Sequence, residues 1–421
     1  MSMRNRFLFA AVAVGAIALT AGAKEFEVYG WWGIGDEYIS LERYKEARAA
    51  GFTSLMQCAG VERMRKYLDW AQEAGIRIGV QHTQMLKNPE PVIEALKDHP
   101  AVLWWHLKDE PHMTNYAHLA EIARRVKAVD PDPSRPVYVN MHPMGDGGAG
   151  DQRWKGTTNY VEYLERGVTE MNLPFLSLDH YPCRVPGPFA GERPYVQPER
   201  EWYVSTNWYA NLEIATRIAE AHRIPLSLFA RCTTYSCVEY EHPTPSRATL
   251  RLEVYSALAY GAKSLQYFTY YTPEYRKPLY FREACLERDG RRGLAYERVK
   301  RMNRELHARA DDRFTDAKRV STAFTEPVPV GTHKLTRLPR FVRSLEAKGA
   351  LVSLLRRGDE DILMVVNRDL NRSMRLDIEF EPGVRRVLED GEVADAAQYG
   401  KTYRLEPGYA EIFLFGREQG N

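Results

Sequence analysis

The chain has 421 residues, with 58 Lys and Arg against 56 Asp and Glu, for a formal net charge of +2. So even a balance gives no electrostatic case for nucleic acid or an acidic membrane surface as a partner. The length exceeds one compact core, so two domains are expected.

At the N-terminus, Arg4 and Arg6 precede an apolar run from Phe7 to Leu19, and Ala21-Gly22-Ala23 supplies small residues for cleavage. This is the plan of a secretory signal peptide over residues 1–23, too short for a convincing membrane span. It predicts an exported protein, periplasmic or secreted, with a mature start near Lys24. The cysteines at 58, 183, 232, 237 and 285 are odd in number and spaced neither as a disulfide scaffold nor as a zinc site. Cys232 and Cys237 could pair; buried free thiols are the other reading.

From Glu25 onward, apolar runs alternate with amphipathic helical patterns. "FEVYGWWGIGD" leads into "LERYKEARAAG", "FTSLMQC" into "RMRKYLDWAQEAG", and "IRIGVQH" into "NPEPVIEALKDH". "AVLWWHLKDEP" precedes "NYAHLAEIARRVKAV", "RPVYVNMHP" precedes "NYVEYLERGVTEM", and "FLSLDHYP" precedes, after a long loop, "NWYANLEIATRIAEAH". "IPLSLFARCTTY" and "KSLQYFTYYTP" are the seventh and eighth strands, each followed by a helical pattern. Eight strand–helix pairs predict a (β/α)8 TIM barrel over residues 24–316. A doubly wound sheet would carry a glycine-rich phosphate loop after its first strand, and "GWWGIGD" is not one. No cofactor is expected. After Asp316, short alternating runs such as "ALVSLLRRG" and "DILMVVNRD" predict a small all-β sandwich over residues 317–421.

A barrel of this kind carries its site at the C-terminal strand ends, and strand alternation sorts the candidates. On the fourth strand, Leu103, Trp105 and Leu107 are assigned to the helix side, while Trp104, His106, Lys108 and Glu110 face inward. Asp109 then falls on the outward parity as a support for Glu110, unless a bulge reverses it. On the sixth strand, Ser177, Asp179 and Tyr181 face in. The fifth contributes Tyr138, Asn140 and His142, the third Gln81, and the eighth Gln266 and Tyr270. Together with Trp31, Trp32 and Tyr271, these make a bowl suited to a sugar. Two carboxyls across such a mouth suit glycosidic bond hydrolysis, one protonating the leaving oxygen and the other attacking carbon or activating water. Glu110 and Asp179 are the catalytic candidates, and the expected partner is a carbohydrate substrate.

The chain resembles the clan A glycoside hydrolases, whose barrels end the fourth strand in an acid/base Glu. Their usual motif there is Asn-Glu-Pro; here it is Asp109-Glu110-Pro111, a form similar to that in some exported barrel hydrolases. "PTPSRATLRLEVYSALAYGAKSLQYFTYYTP" and "ILMVVNRDLNRSMRLDIEF" resemble the seventh helix to eighth strand and the trailing β-domain of such proteins. The resemblance implies a nucleophilic Glu at the end of the seventh strand, where this chain reads "LSLFARCTTYSC". Asp179, Glu239 and Glu241 are the candidates for that second carboxylate. Two further readings stay open. One is a carbohydrate-binding barrel without hydrolysis. The other is a metal-dependent hydrolase drawing on His82, His106, His142, Asp179 and His180, although no metal site is expected.

Overall fold

The computed structural model describes residues 24–145, 147–186, 202–236, 240–274 and 279–416, with only the backbone of Tyr240 and Glu241. Residues 1–23, where a leader is expected, lie outside the described residues, as do Cys237 and Glu239.

Eight parallel strands close a barrel. They are β1 (Glu27–Gly30), β2 (Ser54–Cys58), β3 (Arg77–Gln81), β4 (Val102–Asp109), β5 (Val137–Met141), β6 (Leu176–Leu178), β7 (Leu226–Arg231) and β8 (Ser264–Phe268). They run in chain order around the barrel, and β1 closes on β8 with Glu27 opposite Ser264 and Gly30 opposite Tyr267. The surrounding helices are α1 (Leu41–Ala49), α2 (Val61–Glu73), α3 (Glu90–Leu96), α4 (Tyr116–Val129), α5 (Ala149–Lys155), α6 (Tyr160–Met171), α7 (Trp208–His222), α8 (Arg247–Ala259) and α9 (Ala295–Ala310). Among the described residues, no helix is long and apolar enough to cross a membrane.

Local chemistry explains these segments. In α2 the buried side chains are Met64, Tyr67, Leu68 and Ala71, the spacing of one helical face. α8 opens on a reciprocal capping box in which Ser246 and Thr249 satisfy each other's backbone N–H groups. Ser40 and Asn159 cap α1 and α6 with their side-chain oxygens.

Two apolar layers result. The larger lies between strands and helices; the smaller fills the barrel with Trp31, Met56, Leu103, Trp104, Tyr138 and Phe229. Trp104 stacks on Tyr138 with centroids 4.5 Å apart. It has room because β3 carries Gly79, where a Cβ would stand 2.1 Å from the Trp104 ring. Trp105 points the other way, and its indole N–H donates to Asp130 Oδ2 at 3.0 Å.

The C-terminal sandwich is antiparallel. Six strands, Lys318–Phe324, Ala350–Arg357, Glu360–Asn367, Ala410–Gly416, Arg385–Val387 and Val393–Asp395, pair in that order opposite a sheet of Val342–Ala347, Met374–Phe380 and Thr402–Leu405. It is fixed to the outside of the barrel through α8 and α9. Buried Arg309 donates to Ala410 O at 2.8 Å while its guanidinium lies over the rings of Tyr255 and Tyr409, and Ser353 donates to Ala259 O at 2.6 Å.

One feature lies outside the eightfold rhythm. The loops after β6, β7 and β8 contribute Cys183–Pro186, Tyr203–Val204, Thr234–Ser236, Tyr240–His242 and Tyr280–Arg282 to a five-stranded sheet of their own. It stands above that side of the barrel mouth.

Candidate active site

The end of β4 departs from simple alternation. His106 pairs with Tyr138, but the next pairs are Lys108 with Val139 and Asp109 with Asn140, so Leu107 is an extra residue. Leu107 packs in the outer core. A bulge of this kind shifts the phase of every side chain beyond it. Asp109 therefore shares the inward face of Asn140, and the expectation that it turns outward is corrected. A second register shift, between Ile78–Val102 and Gly79–Trp104, likewise brings Leu103 into the barrel beside Trp104 instead of onto the helix side.

Glu110 follows with φ +46°, in the left-handed region. For a non-glycine residue this conformation costs about 1–3 kcal/mol and persists only where the surroundings impose it. They do so here. The Glu110 N–H donates to Asn140 O at 2.8 Å, and the Tyr163 hydroxyl donates to Pro111 O at 2.8 Å. The turn keeps the Glu110 carboxyl in the mouth beside the other acids.

Asn140 organises the group. Its Nδ2 donates to Asp109 Oδ1 at 3.1 Å and to Asp179 Oδ1 at 2.9 Å, and its Oδ1 accepts from Ser177 Oγ at 2.9 Å. Two carboxylates and a donating hydroxyl admit only this orientation of the amide. Below it, Gln266 Nε2 donates to Ser177 Oγ at 2.8 Å and to Ser227 Oγ at 3.0 Å, and Ser264 donates to Ser227 at 2.6 Å. Glu110 is within hydrogen-bonding reach of Asp179, and its Oε1 lies 3.2 Å from His142 Nδ1. The Tyr181 hydroxyl is buried against Asp179, within hydrogen-bonding reach of its carboxyl.

The electrostatics follow from crowding three carboxyls into a concave site. Burial, and then the charge of Asp109, push the Glu110 carboxyl up to about 8. Burial and the charges of Glu110 and Asp109 raise Asp179 well above the usual range. Burial raises Asp109 too, against the opposing hydrogen bond from Asn140. The titration belongs to the cluster, in which both Glu110 and Asp179 are raised. Burial and then the charge of Lys155 bring His142 down to about 4, so its ring is neutral.

The other candidates divide into rim and interior. Trp32, two residues beyond β1, and Gln81, at the end of β3, are partly buried at the rim; Trp32, with φ +43°, packs on Phe268. Trp31, His106 and Gln266 are buried inside the barrel below the acids, and this corrects their assignment as substrate contacts. Tyr270 is also buried, against Phe52 in the outer core, so it does not line the bowl. Tyr271 is partly buried and closes on the loop at Gly35.

Lys155 was not foreseen. It is buried at the end of α5, pairs with Asp151 at 2.5 Å, and acts on both Glu110 and His142. The only sign of it in sequence is the Asp–Lys spacing of four in "DQRWK".

The end of β7 carries Arg231-Cys232-Thr233. Arg231 is buried and donates to the carbonyls of Thr233 and His242, away from the acids. Cys232 is a free thiol. Among the described residues, the group of three or more metal-type side chains within reach of one another is Glu25, His307 and Asp311. It lies below the N-terminal end of β1, far from the histidines considered for a metal site.

Neither a protein-family model nor a curated protein matches the chain. Solved structures do. A family 39 glycoside hydrolase from the gut symbiont Bacteroides cellulosilyticus WH2 superposes with a TM-score of 0.51 at 12% identity, over 93% of this chain and 81% of that one. A GH30 endoxylanase from Clostridium papyrosolvens C71 gives 0.48 at 11% identity, over 94% and 98% of the two chains. The likeness is one of fold. It shows the barrel with its trailing β-domain and singles out no family, motif or substrate.

Proposed function

We propose that the protein is an exported glycoside hydrolase in which Glu110 is the general acid and base. The observation that supports this most directly is a carboxyl held protonated up to about pH 8 at the C-terminal end of β4, within a bowl rimmed by aromatic residues. Protonation lets Glu110 deliver a proton to a departing glycosidic oxygen. Its left-handed turn fixes where that proton is presented. Asp179 is the second catalytic carboxyl, held beside Glu110 by the Asn140 amide, while the charge of Asp109 keeps the proton on Glu110 until the leaving group takes it. Neutral His142 completes the proton's surroundings, and Trp32 offers a flat face for a sugar ring.

The test is Glu110→Gln assayed on a glycan panel, with product stereochemistry read by NMR. Loss of hydrolysis by about 10²–10⁴-fold with retained sugar binding is the expected result. Unchanged hydrolysis overturns the assignment. The carbohydrate-binding reading is favoured by one observation, the lack of a carboxylate in Arg231-Cys232-Thr233 at the end of β7. Binding of several glycans by a wild-type protein that cleaves none would establish it.

A further inference from the structure

Two cysteines far apart in sequence meet in the structure. Cys232 follows the last residue of β7, and Cys285 lies in the connection between β8 and α9. The Cys285 thiol is within hydrogen-bonding reach of the Cys232 sulfur, and both residues are buried. Their backbone partners place them together independently. The Cys232 N–H donates to Phe268 O at 2.8 Å and its Sγ to Thr269 O at 2.8 Å. Leu286, next to Cys285, donates its N–H to Tyr270 O at 2.7 Å. Both cysteines thus flank the same short segment at the end of β8.

They also stand at the foot of the five-stranded sheet above the mouth. There Thr234–Ser236 pairs antiparallel with Tyr280–Arg282, with Thr234 opposite Arg282. Continued past that pair, the register sets Cys232 opposite Ala284, the neighbour of Cys285. Glu283, with φ +60°, turns the chain between the ladder and Cys285. A bond between the two sulfurs would close the base of this ladder.

Resting on the exported reading for its compartment, we propose that Cys232 and Cys285 form a disulfide that anchors the loops after β7 and β8 over the mouth. An oxidising compartment is where such bonds form and persist. The pair is sealed in the folded chain, so the bond forms during folding, by exchange with a small disulfide such as oxidised glutathione. One cysteine thiolate attacks that disulfide and expels a glutathione thiolate. The second cysteine thiolate attacks the mixed disulfide and expels the other. Each cysteine has lost its proton to solvent, and the two electrons leave on the two glutathiones. The bond ties residues 232 and 285 across a long span of chain, which narrows the unfolded ensemble and holds the two loop roots together.

The experiment expresses the full chain in bacteria whose cytoplasm lacks thiol reductases, so that it meets an oxidising compartment whether or not it is exported. The purified protein is denatured, alkylated without reductant, cut with trypsin and mapped by mass spectrometry. The expected result is that Cys232 and Cys285 escape alkylation and that peptides 232–247 and 283–288 are joined. Cys237 shares the first of these peptides, so the join should persist in Cys237→Ser and be lost in Cys232→Ser. Fragment spectra of the joined wild-type peptides make the same assignment even where a variant does not fold. Alkylation of both Cys232 and Cys285, or either of them joined to another cysteine, overturns the inference and leaves the glycosidase reading standing. Hydrogen exchange tests the anchoring. Wild-type protein from an ordinary reducing cytoplasm should exchange at least about tenfold faster over Thr234–Ser236 and Tyr280–Arg282 than the oxidised form. Equal exchange in the two forms overturns the anchoring role.

Discussion

Asn140 Nδ2 stands 2.9 Å from Asp179 Oδ1, and the same nitrogen serves Asp109 on the neighbouring strand. One neutral amide thus holds together two carboxyls that would otherwise repel. Asn140→Ala removes both donors and leaves the Ser177 hydroxyl without its acceptor. We expect kcat/KM to fall by about 10²-fold or more, in line with the loss of a positioned acid–base group. Asn140→Asp should be worse at neutral pH, since it adds a fourth acid to the cluster. Steady-state kinetics of both variants on one glycoside, with circular dichroism to establish folding, checks the order.

The Glu110 proton sets the pH response. Activity requires it, so kcat/KM should decline on a basic limb as pH rises through about 8. Stability has the same sign. The folded-state value is raised, so the native state binds the proton more tightly than the unfolded chain does. That contribution is complete below the ordinary carboxyl value of 4.5 and is lost as pH rises through about 8. Glu110→Gln should therefore raise Tm at pH 9 relative to wild type, with a smaller difference at pH 4. A Tm difference that does not vary with pH would show that Glu110 is not held protonated.

Acid should weaken the fold by another route. Burial depresses His106 and His180 to about 3 and His142 to about 4. Each is neutral when folded and charges readily when unfolded, so stability falls as pH drops below about 6.5 and continues to fall toward those values. His106 gives the cleanest test. Both its ring nitrogens are buried without partners, and its ring meets Trp31 edge-on at 5.5 Å. His106→Phe should preserve the aromatic packing and remove unsatisfied polar atoms. Urea midpoints at pH 7, 5.5 and 4.5 should then decline less in the variant than in wild type.

Gly79 and Trp104 form a matched pair inside the barrel. Adding a methyl group at Gly79 places it 2.1 Å from the indole. Gly79→Ala should cost about 1–3 kcal/mol, the usual cost of overpacking. Gly79→Ala combined with Trp104→Leu should cost less than the sum of the two single changes. Urea unfolding of the four proteins gives this coupling directly.

Periodicity made the fold legible. Met64, Tyr67, Leu68 and Ala71 mark a helical face, and Leu176 and Leu178 mark one side of a strand with Ser177 on the other. A bulge leaves no such mark. One extra residue at Leu107 reverses the parity of Asp109, and the positive φ of Glu110 then returns that side chain to the mouth, where unbroken alternation also puts it. Tyr270 was assigned to the bowl by continuing the eighth strand's alternation. The strand ends at Phe268, and the chain there turns to bury Tyr270 on Phe52. Depth was equally hidden: parity distinguishes inside from outside, but it does not distinguish Trp31, in the barrel's filling, from its neighbour Trp32 at the rim.

The polar groups from Ser264 to Asn140 form one connected set across four adjacent strands. Ser227 accepts from Ser264 and from Gln266, Gln266 also donates to Ser177, and Ser177 donates to Asn140, which donates in turn to the acids. Through an interior otherwise filled by rings, Gln266 is thus the branch point: its single amide nitrogen joins the hydroxyls of Ser227 and Ser264 to the amide that holds the acids. Replacing Gln266 would disconnect the two ends of that set without touching a carboxyl.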